Sequence, residues 1–313
     1  MSFAKTVKEE LVTIPVELEG QLAEFAAFLN LNTEFHIESK QKMLDFKTNS
    51  PTVAKRFLQL TKTLYQSETT LLTQQQNKLN KRQTIIVRVE TKVDDIISEH
   101  GLLENEIESQ VLLTQSFDAK RAFLRACFLA AGSMNHPKTA EYHLEIFSRN
   151  SEQIILIQSI MNAFELNAKI TNRRTGYIVY IKDAEGISMF LQLIGAQNAL
   201  FQFEDIRIKR DFNNSINRVM NCEIANEKKA IVAANAQLDD IHLVTKYYPK
   251  DQLNTKLNQI IEIRTEHPDM SLSELSELYE ERFKEPLSKS GLNHRLKKLR
   301  ELADKIRESG YQQ

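Results

Sequence analysis

Cysteine, proline and glycine are scarce in this chain, which has two, six and eight of them in 313 residues. The two cysteines, Cys127 and Cys222, lie far apart with no CxxC spacing, so no paired-thiol redox or metal motif is present. Cys127 falls in an apolar run and is expected as a small buried hydrophobe. The shortage of glycine and proline, with Leu, Ala, Glu, Lys and Gln frequent, tilts the chain toward helix. No apolar run approaches membrane-spanning length, and the start MSFAKTVKEEL is charged and amphipathic rather than a signal peptide. The reading is a cytoplasmic protein without membrane contact. A surplus of charge is missing as well: the net charge is −1, so any affinity for nucleic acid must come from where the charges sit. No Gly-rich phosphate loop or nucleophile elbow appears. The seven histidines are scattered; His136 and His143 are neighbours in sequence, but nothing supplies a third ligand. No metal, cofactor or small-molecule substrate is expected.

What remains is an ordinary globular composition, 42 % hydrophobic and 27 % charged, long enough for two domains. Its centre is RAFLRACFLAAGS, Arg121 to Ser133, which leaves no wide polar face and reads as a buried helix with small residues toward its end. A twin, QLAEFAAFLNLNT from Gln21 to Thr33, lies about a hundred residues earlier. Each twin is followed by the same scheme. Leu44, Asp45 and Phe46 align with Leu144, Glu145 and Ile146, and Asn49 and Ser50 with Asn150 and Ser151, at the cost of one inserted residue. Each half then reads helix, strand pair, helix, strand pair, helix, an internal duplication covering about 18–101 and 119–197.

Paired buried helices, each running into a hairpin, resemble the LAGLIDADG homing endonuclease fold. That resemblance implies two sheets forming a saddle for DNA, with a metal-binding carboxylate just before the terminal Gly of each motif. Here those positions hold Ala131 and Asn32, and neither supplies the anionic oxygen that Mg²⁺ requires. Asp45 and Glu145 are the alternative ligands, but strand alternation makes them saddle or surface residues. No catalytic residue is therefore expected.

Phe3, Val7, Leu11 and Ile14 predict a short first helix ending before Pro15, with Lys5 and Lys8 on a solvated face. TQQQNKLNK, Thr73 to Lys81, reads as a polar hairpin tip. AKITNRRTGYIVYIKD is the clearest hairpin, and Arg173 and Arg174 at its turn are candidates for a secondary phosphate contact, although a solvated turn is the plainer account. After the duplicated domain, residues 1–205, a helical connector of one or two helices spans 206–249 and carries Lys209, Arg210 and Arg218 as further secondary DNA candidates.

Residues 250–313 read as three helices. Leu257, Ile260, Ile261 and Ile263 lie on the first, which stops at Pro268. SLSE at Ser271 to Glu274 is a capping box that opens the second. KEP, Lys284 to Pro286, turns the chain into a third helix with Leu292, Leu296, Leu299, Leu302 and Ile306 inward. Three helices with a tight turn before the last fit a helix-turn-helix module. Residues 288 to 300 contain Lys289, Arg295, Lys297, Lys298 and Arg300 and no acid, whereas 262 to 285 are acid-rich. Helical spacing leaves Ser290, His294, Lys297 and Lys298 facing out with Asn293 and Arg295 on the flanks, and these residue types suit base reading. Ser288, Lys289 and Ser290 near the helix start suit phosphate anchoring.

The blocks KRAFLRACFLAAGSMNHP with YHLEIFSRN, NRVMNCEIANEKK, and PLSKSGLNHRLKKLRELA together resemble the WhiA family of sporulation and cell-division regulators. The resemblance implies an α+β fold: a duplicated, degenerate LAGLIDADG homing-endonuclease-like domain followed by an all-α helix-turn-helix domain. It further implies a nucleoid-associated, non-cleaving transcriptional regulator that binds double-stranded DNA, with protein partners in transcription or cell division. Asn32 and Thr33 depart from the small residues usual at the end of the family's first motif helix, which puts close packing of the twin helices in question. An architectural or adaptor protein that binds DNA weakly and a protein through the duplicated domain is the alternative.

Overall fold

The computed structural model describes residues 2–38, 40–75, 83–102 and 106–309, and the chain divides into two compact units, Met1–Asp211 and Phe212–Gln313. Helix α1, Phe3–Leu11, buries Phe3, Val7 and Leu11, as their spacing predicts. The first repeat comprises α2 (Leu18–Asn32), β1 (Thr33–Glu38), β2 (Gln41–Thr48), α3 (Pro51–Tyr65), β3 (Thr69–Gln75), β4 (Gln83–Val89) and α4 (Val93–His100). The predicted hairpin tip between β3 and β4 lies mostly outside the described residues. After α5 (Glu106–Leu113), the second repeat follows in the same order: α6 (Phe117–Ala131), β5 (Gly132–Met134), β6 (Leu144–Ser148), α7 (Ser151–Ala163), β7 (Lys169–Arg173), β8 (Gly176–Ile181) and α8 (Ala184–Ile194).

Each repeat holds one four-stranded antiparallel sheet, ordered β1-β2-β4-β3 and β5-β6-β8-β7. The aligned positions share a register: Leu44 and Phe46 face Val89 and Val87, while Leu144 and Ile146 face Ile181 and Val179. All eight are buried, so the alternate residues, including Asp45 and Glu145, lie on the opposite face of each sheet. Local chemistry starts the second helix of each repeat in matching ways: the Ser50 hydroxyl accepts from the Val53 amide, and the Asn150 side chain accepts from the Glu152 amide.

The two motif helices α2 and α6 form the centre of the first unit, and nearly every residue in their middle turns is buried. Close approach is built in at Gly20, where an added Cβ would lie 3.2 Å from the Ala122 Cβ and 2.2 Å from a Val16 methyl carbon. Three charged groups share this centre. Glu24 of α2 accepts from Arg56 of α3 (2.7 and 3.0 Å) and from Arg125 of α6 (3.2 Å), and Arg125 also donates to the Ile194 carbonyl. All three are buried. Desolvation pushes the Glu24 carboxyl above its ordinary value against the opposing pull of the two guanidiniums.

One expectation needs correction. Lys8 is not on a solvated face: it is half-buried, its ammonium lies 5.6 Å from the Phe128 ring centroid, and burial lowers its pKa to about 8. The connector, expected as one or two helices over 206–249, is continuous helix that begins upstream of residue 206. It belongs to one helix, α9, Gln197–Tyr247, because no glycine or proline interrupts the chain between Gly195 and Pro249.

In the second unit a 3-10 turn, Lys250–Gln252, precedes α10 (Thr255–Glu266), α11 (Leu272–Phe283) and α12 (Lys289–Ser309). Ile260, Ile263, Leu275, Tyr279, Leu292, Leu296, Leu299 and Ala303 form its core, joined by Ile241 and Val244 from the end of α9. An ion pair between Asp240 and Arg307 at 2.7 Å fastens α9 to α12.

Candidate nucleic-acid interface

The helix-turn-helix is assembled by local signals. The Ser271 hydroxyl accepts from the Glu274 amide while the Glu274 carboxylate accepts from the Ser271 amide, completing the capping box. Helix α11 ends at Lys284 in the left-handed region (φ 58°), and Pro286 prevents its continuation. The Ser276 hydroxyl donates to the Leu287 carbonyl, tying α11 to the turn, and the Ser288 hydroxyl accepts from the Gly291 amide at 3.2 Å to open α12.

Leu292, Leu296 and Leu299 hold α12 against the core, so Ser288, Lys289, Ser290, Asn293, His294, Lys297 and Lys298 are exposed together. No ion pair or side-chain hydrogen bond engages Lys289, Lys297 or Lys298 in the described structure. Acid is kept to the neighbouring helices, where Arg282 pairs with Glu262 and Glu266, and to the C-terminal half of α12, where Asp304 pairs with Arg307. Arg295 is placed differently from the rest. It is half-buried, donates to the Tyr279 hydroxyl at 2.8 Å and lies 5.2 Å from that ring's centroid, while Tyr279 donates to Gln259 at 2.6 Å. This chain of contacts holds α12 against α11 and α10.

In the first unit the ends of the motif helices carry no acid. Ala131 offers no ligand atom, and the Asn32 amide donates to the carbonyls of Lys47 (3.0 Å) and Ala130 (3.1 Å). Asn32 therefore bridges the two repeats with donors, opposite in polarity to a metal-holding carboxylate. Asp45 accepts a paired contact from Arg88, both distances 2.9 Å, with His36 3.7 Å away. The Asp45 hydrogen bond holds the Arg88 guanidinium above its ordinary pKa. Glu145 accepts from His143 (2.8 Å) and Arg173 (3.0 Å). Partial burial pushes its carboxyl up, but these two partners together outweigh it and hold the pKa below the usual carboxylate range. Among the described residues, no group of three His, Cys, Asp or Glu is placed to hold a metal ion.

The secondary candidates separate. Arg174, Lys209 and Arg218 are exposed, and Arg173 is exposed but paired with Glu145. Arg210 is engaged: it donates to the Thr139 carbonyl at 2.6 Å and stacks 4.1 Å from the Tyr142 ring centroid, which fastens the loop before β6. Sequence reasoning missed the Glu24, Arg56 and Arg125 cluster. Its trace was visible, since Glu24 and Arg125 each interrupt an otherwise apolar run.

The chain matches the WhiA N-terminal LAGLIDADG-like domain over residues 19–103, the WhiA LAGLIDADG-like domain over 120–213 and the WhiA C-terminal HTH domain over 216–303. It is 42 % identical over 310 residues to a protein named probable cell division protein WhiA of Staphylococcus aureus (strain USA300), covering 98 % of each chain. The crystal structure of full-length WhiA from Thermatoga maritima is similar, with a TM-score of 0.60 at 25 % identity over 97 % of this chain and 99 % of that one. That of a WhiA N-terminal LAGLIDADG domain aligns with a TM-score of 0.50 at 26 % identity, over 62 % of this chain and 90 % of that one. No helix among the described residues is long and apolar enough to cross a membrane. With its duplicated LAGLIDADG-like domain followed by a helix-turn-helix, the chain belongs to the WhiA family.

Proposed function

We propose that this protein is a sequence-specific DNA-binding transcriptional regulator, nucleoid-associated in the cytoplasm, that acts in cell division, chromosome segregation and, in sporulating relatives, sporulation. It binds double-stranded DNA without cleaving it. The observation that carries this reading is the exposed face of the first half of α12, where residues 288–300 contain five cations and no acid. Asn293, His294, Lys297 and Lys298 would meet base edges and adjacent phosphates in the major groove, and Ser288, Lys289 and Ser290 would anchor the helix start to the backbone. Arg295, held by Tyr279, would act from the flank. Arg173, Arg174, Lys209, Arg210 and Arg218 are secondary candidates, with Arg210 the weakest because its guanidinium is occupied within the fold. The reading without cleavage is supported by Ala131, by the donor role of Asn32, and by the engagement of Asp45 and Glu145 in ion pairs.

Equilibrium binding of the full chain to its own promoter and to a scrambled duplex, across a salt series with Mg²⁺ present, tests this. Preference for one duplex with both strands intact supports the regulator. Cut strands, or the absence of any preference in a wider duplex screen, would overturn it.

One observation favours a second reading, an architectural or adaptor role. On the first sheet's outer face, among the described residues, Lys47 is matched by Glu34 and Arg88 by Asp45 and Glu38, which leaves little net attraction for phosphate there and suits a protein partner. Retention of the cellular role by a variant with α12 neutralised at Lys289, Lys297 and Lys298 would favour it.

A further inference from the structure

From Phe212 to Ala233 every side chain of α9 is exposed. A helical stretch this long with no buried face gains nothing from packing within its own chain, so its side chains are placed for something outside it. Their arrangement is not uniform. Asn214, Arg218, Asn221, Cys222, Ala225 and Lys229 recur every three or four residues and share one side of the helix. That side contains no acid. Both carboxylates of the stretch, Glu223 and Glu227, fall on the other side with Phe212, Ile216 and Met220.

The acid-free side has the chemistry of a groove reader. Asparagine can pair with adenine through two hydrogen bonds, arginine with guanine, and lysine with phosphate. Cys222 and Ala225 are small enough to let the helix backbone approach base edges, and alanine packs against the thymine methyl group. The stripe from Asn214 to Lys229 runs roughly 22 Å at 1.5 Å per residue, enough to cross a major groove of about 12 Å. Most of it, Arg218 to Lys229, falls inside the region that matches the WhiA C-terminal HTH domain, so the stripe travels with the helix-turn-helix and not with the duplicated domain.

We infer that the Asn214–Arg218–Asn221–Lys229 side of α9 is a second DNA-reading surface, which takes a major-groove segment outside the one read by α12. This rests on the DNA-binding reading of α12. The duplex that the protein recognises would then be longer than a single helix-turn-helix requires, without a second copy of the chain.

The test uses the full chain throughout. Duplexes are selected from a random-sequence library with the wild-type protein, and the enriched duplex is then bound by Arg218→Ala, Asn221→Ala, Lys229→Ala, Lys289→Ala and the opposite-side control Glu227→Gln. Circular dichroism and sedimentation accompany each variant. Asn221→Ala is expected to bind about 10-fold more weakly and to lose preference at a base step that Lys289→Ala leaves unchanged. Lys229→Ala is expected to lower the slope of log affinity against log salt by about one, with Glu227→Gln unaffected. If the three α9 variants keep wild-type affinity, salt slope and base preference while Lys289→Ala weakens binding, the α9 surface is refuted and the reading of α12 stands. If they alter sedimentation but not DNA binding, the surface is a protein contact and the inference falls. If the wild-type protein enriches no duplex, the DNA-binding reading itself falls and takes this one with it.

Discussion

The side-chain amide of Asn32, at the end of the first motif helix, donates to the main-chain carbonyl of Ala130, near the end of the second, across 3.1 Å. The same nitrogen reaches the Lys47 carbonyl at 3.0 Å, so one residue joins both repeats where a nuclease would hold its metal. Changing Asn32→Asp would replace a donor by a carboxylate facing two carbonyls. We expect a loss of about 1–3 kcal/mol in stability and no Mg²⁺-dependent strand cleavage, because Ala131 still provides no second acid. Thermal unfolding and a plasmid-nicking assay on the same variant check both parts; a more stable Asn32→Asp protein would contradict the bridging role.

Glu24 is the acceptor for two buried arginines, Arg56 and Arg125. Replacing it by leucine leaves two guanidiniums in the core without a carboxylate, and a cost of roughly 3–5 kcal/mol is expected for breaking such a buried arrangement from one side. Glu24→Gln keeps an acceptor but not the charge, and is expected to cost less. Urea denaturation gives the order, wild type above Gln above Leu.

His100 is buried against Phe25, and burial pushes its pKa down from 6.5 to about 4. The Tyr65 hydroxyl spends its proton on Glu99 at 2.7 Å, so its oxygen accepts from the His100 Nε2–H at 2.8 Å, leaving Nδ1 without a partner. With the folded pKa below the unfolded one, protonation favours the unfolded state. The neutral ring's contribution is full above pH 6.5 and is lost progressively between pH 6.5 and 4, up to about 3 kcal/mol. Urea midpoints measured across that range should fall for the wild type and fall less for His100→Gln, which keeps a donor to Tyr65 but does not titrate.

On α12, Asn293 and Arg295 are expected to separate in their effects. Asn293 is exposed and its side chain makes no hydrogen bond within the described structure, so Asn293→Ala should weaken DNA binding without changing stability. Arg295 is tied to Tyr279, so Arg295→Ala should cost about 1 kcal/mol of stability as well as affinity. Tyr279→Phe should reproduce part of both losses. Paired binding and urea titrations would show it; equal stability of the two alanine variants would remove Arg295 from the positioning role.

Lysines on the α12 face are expected to act through phosphate. Removing Lys289 or Lys297 should weaken binding nearly uniformly across sequences and reduce the salt slope by about one each. A variant that changed base preference but not the slope would reassign that lysine to base contact.

Much of this protein was legible in its residues because the patterns are local. The largely apolar runs at Gln21 and Arg121, the matched strand positions at Leu44 and Leu144, the SLSE capping box and the leucine spacing of the last helix each act within a few turns of chain, so local pattern places them. The absence of acid at Ala131 and Asn32 was equally plain. Tertiary structure decided what depends on residues distant in sequence: that Asn32 bridges the two repeats, that Glu24 sits between Arg56 and Arg125, that Lys8 is drawn under cover beside Phe128, and that Arg295 turns to Tyr279 and Arg210 to Tyr142. A charged side chain's fate follows from the partner and the solvent it meets after folding, and neither is written in its own stretch of chain.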